Sequence, residues 1–368
     1  MFEKRRKQLV KSLKESGMQA VIISSPSNLY YFTGFTGGEA FFVMILDSSC
    51  PKHDDTVQAG YVITDSRYYE QVEKECPGLE LIRLEEKGYS ETVKELFDGM
   101  DGGAKAAIEG DMNLSQYLKL CEVCKDYEFQ VKGDVINSSR MVKDESELGK
   151  IRKAEEIGDA AFSYIIEKIK PGMTEAEISF ELEFYMKRHG ASKLSFDTIV
   201  ASGVHSSMPH AKVTERKIEI GDFITMDFGC VYQGYCSDMT RTIAVGNPTD
   251  EMKKVYQIVL DAGRRAMEQI AEGKKCSYID SLARDYIKEQ GYGEYFGHGL
   301  GHSVGLDIHE EPRFSRKCDT RLKENMVITV EPGIYLPGRF GVRIEDLVAV
   351  TRDGFYNLTH SEKELVIL

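Results

Sequence analysis

A glycine- and histidine-rich segment near the C-terminus restricts the local fold more than any other part of the chain. It reads Gly297-His298-Gly299-Leu300-Gly301-His302 and is followed closely by Ile308-His309-Glu310. Two histidines four residues apart could share a helix face, as in H-E-x-x-H zinc proteases. Glycine costs about 1 kcal/mol relative to alanine in a helix, so three glycines in this short run disfavour a helix strongly. An extended backbone is predicted instead.

In an extended segment the side chains of His298 and His302 point to the same side. The glycines leave the opposite side open to close approach by another backbone. Imidazoles held in this way are suited to bind a metal or to hydrogen-bond a substrate. The alternative is a glycine-rich loop with incidental histidines, which is the weaker interpretation when His309 follows so soon.

The composition is typical of a soluble globular protein with two domains. The 368 residues exceed one ordinary domain, and 42% are hydrophobic and 29% charged. The longest strongly apolar run, residues 40–46, is far shorter than the roughly 20 residues that span a bilayer. No apolar stretch follows the basic residues at the start, so no signal peptide is expected. The net charge of −13 disfavours a nucleic-acid partner.

The eight cysteines are scattered, which predicts reduced thiols and a cytoplasmic location. Cys121 and Cys124 form a C-x-x-C pair, but no second pair follows at the spacing of a zinc ribbon. Leu114, Leu118 and Cys121 follow helical spacing, so the pair is interpreted as buried thiols on a helix.

The apolar pattern divides the chain into domains of residues 1–138 and 139–368. The first part alternates helices with buried strands, which indicates an α/β layer. The second part begins with helices, continues with strands from about Ser195, returns to helices at 251–272 and 278–290, and ends in strands. That order predicts an α+β domain. Thr174 and Glu177 have the spacing of a capping box at the start of a helix.

Two aspartates flank a predicted β-hairpin: Asp227 in the strand 223–229 and Asp238 in the strand 235–245. A turn at Tyr232-Gln233 would pair them directly, and a turn at Gln233-Gly234 would place them diagonally on one face. A slip of one residue would put them on opposite faces. Two acids on one face repel unless protons or metals neutralise them, although a solvated pair is the alternative.

The C-terminal part adds Glu331, at the end of an apolar strand, and the pair Arg343 and Glu345. Residues two apart in a strand share a face, so the Arg343 guanidinium can orient nearby carboxylates, or form an ordinary salt bridge. Four carboxylates and His302 would balance two divalent ions, which two-metal hydrolases hold about 3.5–4 Å apart to activate water. Oxygen-rich ligation with one nitrogen favours Mn²⁺, Co²⁺, Fe²⁺ or Zn²⁺.

These motifs, in their order, resemble those of the Xaa-Pro peptidases, aminopeptidase P and prolidase, which are proline-specific members of the methionine aminopeptidase superfamily. The matching segments are SGVHSSMPH (202–210), MDFG (226–229) with SDMTRT (237–242), HGLGHSVGLDIHE (298–310), and VEPGIY (330–335) with VRIED (342–346). NLYYFTG (28–34) and TDSRY (64–68) resemble the creatinase-type N-terminal domain of that family.

The resemblance implies a C-terminal pita-bread α+β catalytic domain with a pseudo-twofold, preceded by a smaller α/β creatinase-type domain. It implies metal ligands at Asp227, Asp238, His302, Glu331 and Glu345. It implies that His210 and His309 contact the substrate or stabilise the developing oxyanion, that His298 lines the same cleft, that Glu331 also shuttles the proton, and that Arg343 supports the ligands from behind.

The implied activity is hydrolysis of the bond between an N-terminal residue and proline, in dipeptides or longer peptides. Two divalent ions are the implied cofactors, with Mn²⁺ favoured and Co²⁺, Fe²⁺ or Zn²⁺ as alternatives. The implied partners are a proline-containing peptide and a second copy of the chain in a homodimer, with no nucleic acid and no membrane.

Rival hypotheses are a metal-free, creatinase-like C–N hydrolase and a catalytically silent binding module, both of which are expected to lack the ligands kept here. The extra N-terminal domain disfavours a methionine aminopeptidase. Ala211 stands where many relatives have glycine, and His205 occupies a variable loop position. Cys236 shares a face with Asp238, and a packed thiol is preferred for it over a position near the metals.

Overall fold

The computed structural model describes residues 1–46 and 60–368 and divides into two compact units, Met1–Arg140 and Met141–Leu368. Cys50 is one of the eight cysteines and lies outside the described residues. Across these described ranges, no helix combines the length and the apolar character needed to cross a membrane.

The N-terminal unit is a six-stranded mixed sheet with helices. Its strand order is β4-β3-β2-β1-β5-β6, and β1 pairs antiparallel with β2 and parallel with β5. The elements are α1 (Phe2–Glu15), β1 (Ala20–Ile23), α2 (Pro26–Thr33), β2 (Phe41–Ile45), β3 (Gly60–Thr64), α3 (Tyr69–Glu75), β4 (Glu80–Arg83), α4 (Tyr89–Phe97), β5 (Lys105–Ile108), α5 (Leu114–Val123), β6 (Glu128–Val131) and α6 (Gly133–Met141).

The C-x-x-C pair lies at the end of α5, where the predicted helix is present and one of the two thiols predicted to be buried, Cys124, is buried. Leu114 is 68% exposed and Leu118 57% exposed, and Cys121 is only partly buried. The helix buries Leu120, and Cys124 is buried just beyond its last residue. Helical spacing defines a face, but the packing of the neighbouring elements decides whether that face is covered.

The C-terminal unit places helices against several sheets. The sheets have the strand orders β12-β9-β8, β14-β13-β15-β18-β19, β11-β10-β7 and β16-β17. The elements are α7 (Glu145–Ile166), α8 (Glu175–Arg188), β7 (Lys193–Leu194), β8 (Ile199–Ser202), β9 (Phe223–Phe228), β10 (Cys230–Tyr232), β11 (Tyr235–Cys236), β12 (Met239–Ala244), α9 (Asp250–Met267), α10 (Cys276–Glu289), β13 (Gly301–Ser303), β14 (Glu310–Phe314), β15 (Val327–Val330), β16 (Gly333–Leu336), β17 (Phe340–Arg343), β18 (Asp346–Val350) and β19 (Phe355–Asn357).

The predicted capping box at the start of α8 is present. The Thr174 hydroxyl accepts from the Glu177 backbone N–H at 3.1 Å, and the Glu177 carboxylate accepts from the Thr174 N–H at 2.8 Å. A second box, formed by Asp144 and Glu147, begins α7 in the same way. Each box satisfies two of the backbone donors that a helix leaves free at its N-terminus.

Strand alternation separates the core from the acidic side chains. Met226 and Phe228 of β9 pack in the core formed with α7 and α8, and Val330 and Val342 pack in the core formed with α9 and α10. Successive side chains of a strand point to opposite faces. Asp227, between Met226 and Phe228, therefore faces away from the helices. The other three acids singled out in the sequence, Asp238, Glu331 and Glu345, each adjoin a core residue just outside a strand.

Candidate active site and metal centre

A cavity of about 880 Å³ in the C-terminal unit is lined by every site residue predicted from the sequence. These residues are His210, Asp227, Asp238, His298, His302, His309, Glu331, Arg343 and Glu345. Tyr335 also lines the cavity, although no role was predicted for it. Residues that lie more than 130 positions apart along the chain are thus gathered around one space.

The hairpin that carries the two aspartates turns at Gln233-Gly234, the second of the two predicted alternatives. Both residues have positive φ, 48° and 90°, and Tyr232 pairs with Tyr235. Positive φ at both central positions is the geometry of the type I′ turn that suits a tight hairpin. Asp227 consequently pairs with Thr240 rather than with Asp238, and the two aspartates lie diagonally on one face.

The predicted strand 235–245 is interrupted at Ser237 and Asp238, between β11 and β12. A Cβ on Gly229 would lie 2.0 Å from the Ser237 carbonyl oxygen, so only glycine permits this approach. The Asp238 N–H donates to the buried carboxylate of Glu155 on α7 at 3.2 Å. At this interruption the backbone of Asp238 is therefore held by the Glu155 side chain instead of by a neighbouring strand.

Thr240 joins the two halves of the site. Its carbonyl accepts from the Glu345 N–H at 3.0 Å, and its hydroxyl donates to the Glu345 carboxylate at 2.7 Å. The same hydroxyl accepts from Nε of Arg343 at 3.0 Å. Since Thr240 also pairs with Asp227 across the hairpin, this one residue sets the distance between β9 and the Glu345 carboxylate.

The extended conformation predicted for the histidine segment is present around His302. β13 begins at Gly301, where a Cβ would lie 1.9 Å from the carbonyl oxygen of Thr329 on β15. The Thr329 hydroxyl accepts from the His302 N–H at 3.0 Å. The glycine therefore allows β13 to approach β15 closely enough for His302 to face Glu331.

The unprotonated nitrogen of the His302 ring faces carboxylate oxygens, which are also hydrogen-bond acceptors. Its Nδ1 lies 3.2 Å from the Ser303 carbonyl oxygen, which can only accept, so Nδ1 carries the proton. Burial, followed by the charge of His309, lowers the pKa of His302 to about 4, so the ring is neutral at pH 7. Its unprotonated Nε2 lies 3.5 Å from Asp238 Oδ2 and 3.6 Å from Glu331 Oε1.

The carboxyl groups around this nitrogen are buried close together, which disfavours their charged forms. Burial, and then repulsion from the neighbouring acids, raises the pKa of Asp238 and of Glu331 well above the ordinary range. The same causes raise the pKa of Glu345 to about 8. Oδ1 of Asp227 is buried and has no hydrogen-bond partner. Groups of this kind are neutralised by protons or by cations.

The donor set fits divalent cations. Asp238, His302 and Glu345 each offer one ligand atom, and these atoms all lie within 4.8 Å of one another. A neutral imidazole nitrogen faces two carboxylates, and the buried Oδ1 of Asp227 beside them has no hydrogen-bond partner, which is an arrangement that a bound cation would stabilise. The residues therefore suit hard or borderline divalent ions such as Mn²⁺, Co²⁺, Fe²⁺ or Zn²⁺.

Arg343 is buried, and its hydrogen bonds are directed at specific groups. It donates to Asp227 Oδ2 at 2.6 Å, to the Tyr335 hydroxyl at 2.8 Å and to the Pro209 carbonyl at 3.2 Å. It lies opposite Gly333 in the pairing of β17 with β16, where a Cβ on the glycine would lie 2.5 Å from the Tyr335 hydroxyl oxygen that Arg343 contacts. Arg343 is thus an organiser of the site that leaves Asp238 and Glu331 without a hydrogen bond from it.

The Tyr335 hydroxyl connects Arg343 to His298. It accepts from Arg343 and lies 3.0 Å from Nε2 of His298, whose Nδ1 lies 2.8 Å from the Gly299 carbonyl oxygen. Nδ1 must therefore donate and Nε2 must accept from the phenol. Burial, and then the charge of Arg343, lowers the pKa of His298 to about 4. His298 is neutral, and its Nδ1 lies 3.9 Å from Glu331 Oε2.

His210 and His309 lie at the accessible side of the cavity, and both are exposed. The ring of His309 lies 4.4 Å from that of His302, edge to face. Burial and Arg313 lower the pKa of His309. These two exposed imidazoles therefore border the same cavity as the buried His302 and the carboxylates.

The loop that carries His210 is fastened at several points. Glu175, the first residue of α8, is fully buried and accepts from Nδ1 of His205 at 2.9 Å and from the Ser202 N–H at 2.8 Å. The Pro209 carbonyl, next to His210, accepts from Arg343. His205 therefore holds the loop and lies away from the cavity lining.

Cys236 is a packed thiol, as preferred from the sequence. It is 3% exposed, and its Sγ donates to the Leu306 carbonyl at 3.8 Å. Burial raises the pKa of this thiol to about 12. Cys236 is absent from the cavity lining, while its neighbour Asp238 is part of it.

Sequence reasoning missed Tyr335, Thr240 and Glu155. Tyr335 and Thr240 lie inside the matching motifs, so their hydroxyl groups could have marked them as candidate site residues. Glu155 lies in a helix that alternates charged and apolar residues, and nothing in its spacing marks it as fully buried.

The chain shows similarity to known metallopeptidases along almost its full length. The profile of metallopeptidase family M24 matches residues 149–352, and that of the creatinase/prolidase N-terminal domain matches residues 5–142. The chain is 39% identical over 370 residues to the Xaa-Pro dipeptidase of Pyrococcus furiosus, with 99% of this chain and 100% of that relative covered.

Two solved structures agree with the fold. The Xaa-Pro dipeptidase from Bacillus anthracis has a TM-score of 0.93 at 40% identity, with 100% of both chains covered. The X-Pro aminopeptidase from Thermotoga maritima has a TM-score of 0.86 at 38% identity, with 97% of this chain and 100% of that chain covered. The predicted family resemblance and fold class, a creatinase-type domain before an α+β metallopeptidase domain, are confirmed. The chain belongs to metallopeptidase family M24.

Proposed function

We propose that this metallopeptidase hydrolyses the peptide bond between an N-terminal residue and proline. The observation that carries the proposal is the convergence of Asp227, Asp238, His302, Glu331 and Glu345 on one cavity, with a neutral imidazole nitrogen facing two carboxylates. The relatives named Xaa-Pro dipeptidase and X-Pro aminopeptidase support the choice of proline as the residue after the cleaved bond.

The five ligand candidates would hold two divalent ions. When bound, such ions lower the pKa of water to near neutral and polarise a carbonyl group. The rest of the proposal concerns what the side chains do. Asp227 is oriented by Arg343, and Glu345 is oriented by Thr240, so two of the carboxylates are fixed before any ion arrives.

Glu331 is the proton relay in this proposal. Cleavage forms a bond from the water oxygen to the carbonyl carbon and breaks the bond from that carbon to the proline nitrogen. The leaving nitrogen must gain a proton, and the attacking water must lose one. Glu331 lies between His298, at 3.9 Å, and His302, at 3.6 Å, so both protons can pass through its carboxylate.

The exposed histidines would stabilise the reacting carbonyl. His210 and His309 both line the cavity and can donate a hydrogen bond to the oxygen on which negative charge develops. His298 is excluded from that role, because its two nitrogens are occupied by Gly299 and Tyr335. It holds Tyr335 and lies beside Glu331.

The test is proline release from chelator-stripped protein, with and without added Mn²⁺, on Xaa-Pro dipeptides and on a Xaa-Pro-Xaa tripeptide. Release restored by the metal supports the proposal, and the ratio of dipeptide to tripeptide turnover decides between a dipeptidase and an aminopeptidase. Failure to cleave any of these peptides, with metal bound, would contradict the proposal and favour another amide substrate or a binding role.

Ligand variants make the test specific. Asp238→Ala and His302→Ala should abolish turnover and lower the bound metal content together. His189→Ala is the matched control, since this histidine is exposed at the end of α8 and absent from the cavity lining. Retained turnover in either ligand variant, measured beside that control, would refute the site assignment.

Finer features belong to the same proposal. Mn²⁺ is proposed as the metal because the ligand set is rich in oxygen with one nitrogen. The catalytic domain is proposed to comprise residues 139–368, and residues 1–138 the creatinase-type domain. A homodimer is proposed from the family resemblance, and a cytoplasmic location from the scattered cysteines. Sedimentation analysis of the metal-loaded protein would test the dimer.

A further inference from the structure

A buried ion pair on α10 has no part in the proposed reaction. Arg284 donates to both oxygens of Asp280, from Nε and from a terminal nitrogen, at 2.7 Å in each case. Asp280 is fully buried and Arg284 is 8% exposed, and neither lines the cavity. A bidentate pair of this kind is rigid as well as strong.

The pair binds the backbone of the segment that leads to the site. Arg284 donates to the Phe296 carbonyl at 3.1 Å and to the His298 carbonyl at 2.7 Å. Asp280 accepts from the Leu300 N–H at 3.0 Å. These contacts fall on alternate residues of an irregular segment, so two side chains satisfy backbone groups that have no neighbouring strand.

The segment is tied directly to groups that line the cavity. The Leu300 carbonyl accepts from the Glu331 N–H at 2.8 Å. The His298 ring meets the Tyr335 hydroxyl at 3.0 Å and lies 3.9 Å from Glu331 Oε2. A displacement of the segment backbone would therefore move the ring relative to both partners.

Glycine on each side of His298 makes this anchoring necessary. Residues 296–300 form neither helix nor strand, and Gly297 and Gly299 flank the histidine. Ordering the backbone of one residue costs roughly 1–2 kcal/mol, and glycine loses more freedom than other residues. Fixed contacts to the adjoining carbonyl groups offset that cost at the point where the ring must be placed.

We propose that Asp280 and Arg284 are positioning residues for hydrolysis, which hold residues 296–300 so that His298 keeps Tyr335 and Glu331 in their working geometry. The proposal rests on the proposed peptidase function for its activity readout. The pair affects turnover by positioning His298, and not by changing the stability of the whole fold.

The decisive experiment is a double-mutant cycle. Arg284→Met should lower kcat about 10- to 100-fold, which is the effect of losing one or two hydrogen bonds to a charged group, while KM changes less than about threefold. In a His298→Ala background the same substitution should change kcat by less than about threefold. In the matched His309→Ala background it should retain its full effect, since His309 lies on another loop.

Two further variants control for misfolding. Arg284→Met leaves Asp280 buried without its cation, so the pair Asp280→Asn with Arg284→Met removes both charges and keeps an acceptor for Leu300. Arg284→Lys keeps the charge but not the fork and should restore only part of kcat. Equal losses in all three backgrounds, or no loss in the native background, would overturn the proposal.

Hydrogen exchange supplies a readout that does not depend on activity. In the metal-free protein, Arg284→Met should speed amide exchange in residues 296–300 and leave exchange in β18 unchanged. Unchanged exchange in the segment would overturn the positioning role even if turnover fell. If the native protein cleaves no Xaa-Pro peptide, the proposed function fails, and the exchange result alone decides whether the pair holds the segment.

Discussion

A single added methyl group at Gly301 should damage the site, whereas the same group at Gly297 should not. At Gly301 a Cβ would lie 1.9 Å from the Thr329 carbonyl oxygen and 2.7 Å from its carbon. Ordinary carbon–oxygen contacts begin at about 3.3 Å, so β13 would have to retreat from β15 by roughly 1.4 Å. At Gly297 a Cβ would meet nothing within 4 Å.

That retreat would act on both stability and catalysis. Overpacking of this kind costs about 1–3 kcal/mol, which lowers the Tm of a domain of this size by roughly 2 to 12 °C. The His302 N–H would also separate from the Thr329 hydroxyl, now 3.0 Å away, and the imidazole would leave the carboxylates it faces. A misplacement of about 1 Å can cost about 10²-fold in turnover, so kcat/KM of Gly301→Ala should fall at least that far.

The assay compares Gly301→Ala with Gly297→Ala in thermal unfolding, bound metal and proline release. Gly297→Ala should keep native activity and metal content and gain up to about 1 kcal/mol, because alanine has less freedom than glycine in the unfolded chain. Native Tm and turnover in Gly301→Ala would refute the close approach of β13 to β15. Equal damage from both substitutions would refute the distinction between the two glycines.

Three further outcomes follow from the contacts around the ligands. Tyr335→Phe removes the hydroxyl between Arg343 and His298 and should lower kcat about 10- to 100-fold with unchanged metal content, measured by kinetics and metal analysis. Glu155→Ala leaves the Asp238 N–H and the Thr359 hydroxyl without their acceptor. It should therefore destabilise the protein by about 1–3 kcal/mol and weaken metal binding about 10- to 100-fold. Glu155→Gln, the control, should leave the free energy of unfolding in urea nearly unchanged. The third concerns pH: the metal-free folded protein holds a proton on Glu345 up to a pKa of about 8, against 4.5 for the free group. The contribution of Glu345 to stability is therefore complete below about pH 4.5 and is lost as the pH rises to 8. The Tm of the metal-free protein should fall over that range, and added Mn²⁺ should reverse the trend. A Tm of the metal-free protein that rises with pH would contradict the burial of this carboxyl group.

The hairpin shows how far sequence reasoning can reach. The acids, the turn residues and the requirement that Asp227 and Asp238 share a face were all readable. The choice between two registers was not, because either placement of the turn keeps the aspartates on one side. Positive φ at Gln233 and Gly234 selects the register in the folded chain. As a result Thr240, and not Asp238, is the partner of Asp227.

The buried residues that support the cavity were harder to predict than the residues that line it. Asp280 and Arg284 have the spacing of an ordinary exposed helix ion pair, which contributes only a few tenths of a kcal/mol. Their burial depends on how α10 packs beside the histidine segment, a long-range property that helical spacing does not contain. The prediction for the C-x-x-C helix holds only in part for the same reason: Cys124 is buried, but Cys121 is only partly buried and Leu114 and Leu118 are exposed.

The distribution of positive charge explains why this site needs ions. Arg343 is buried among the acids, but its donors are committed to Asp227, Tyr335, Pro209 and Thr240. Asp238, Glu331 and Glu345 receive no hydrogen bond from a cationic side chain in the described residues. An arginine pointing at them would stabilise the empty protein and compete with metal. By holding Arg343 to one aspartate and a phenol, the fold keeps three carboxylates and one imidazole nitrogen available, and the repulsion among them is relieved when divalent ions bind.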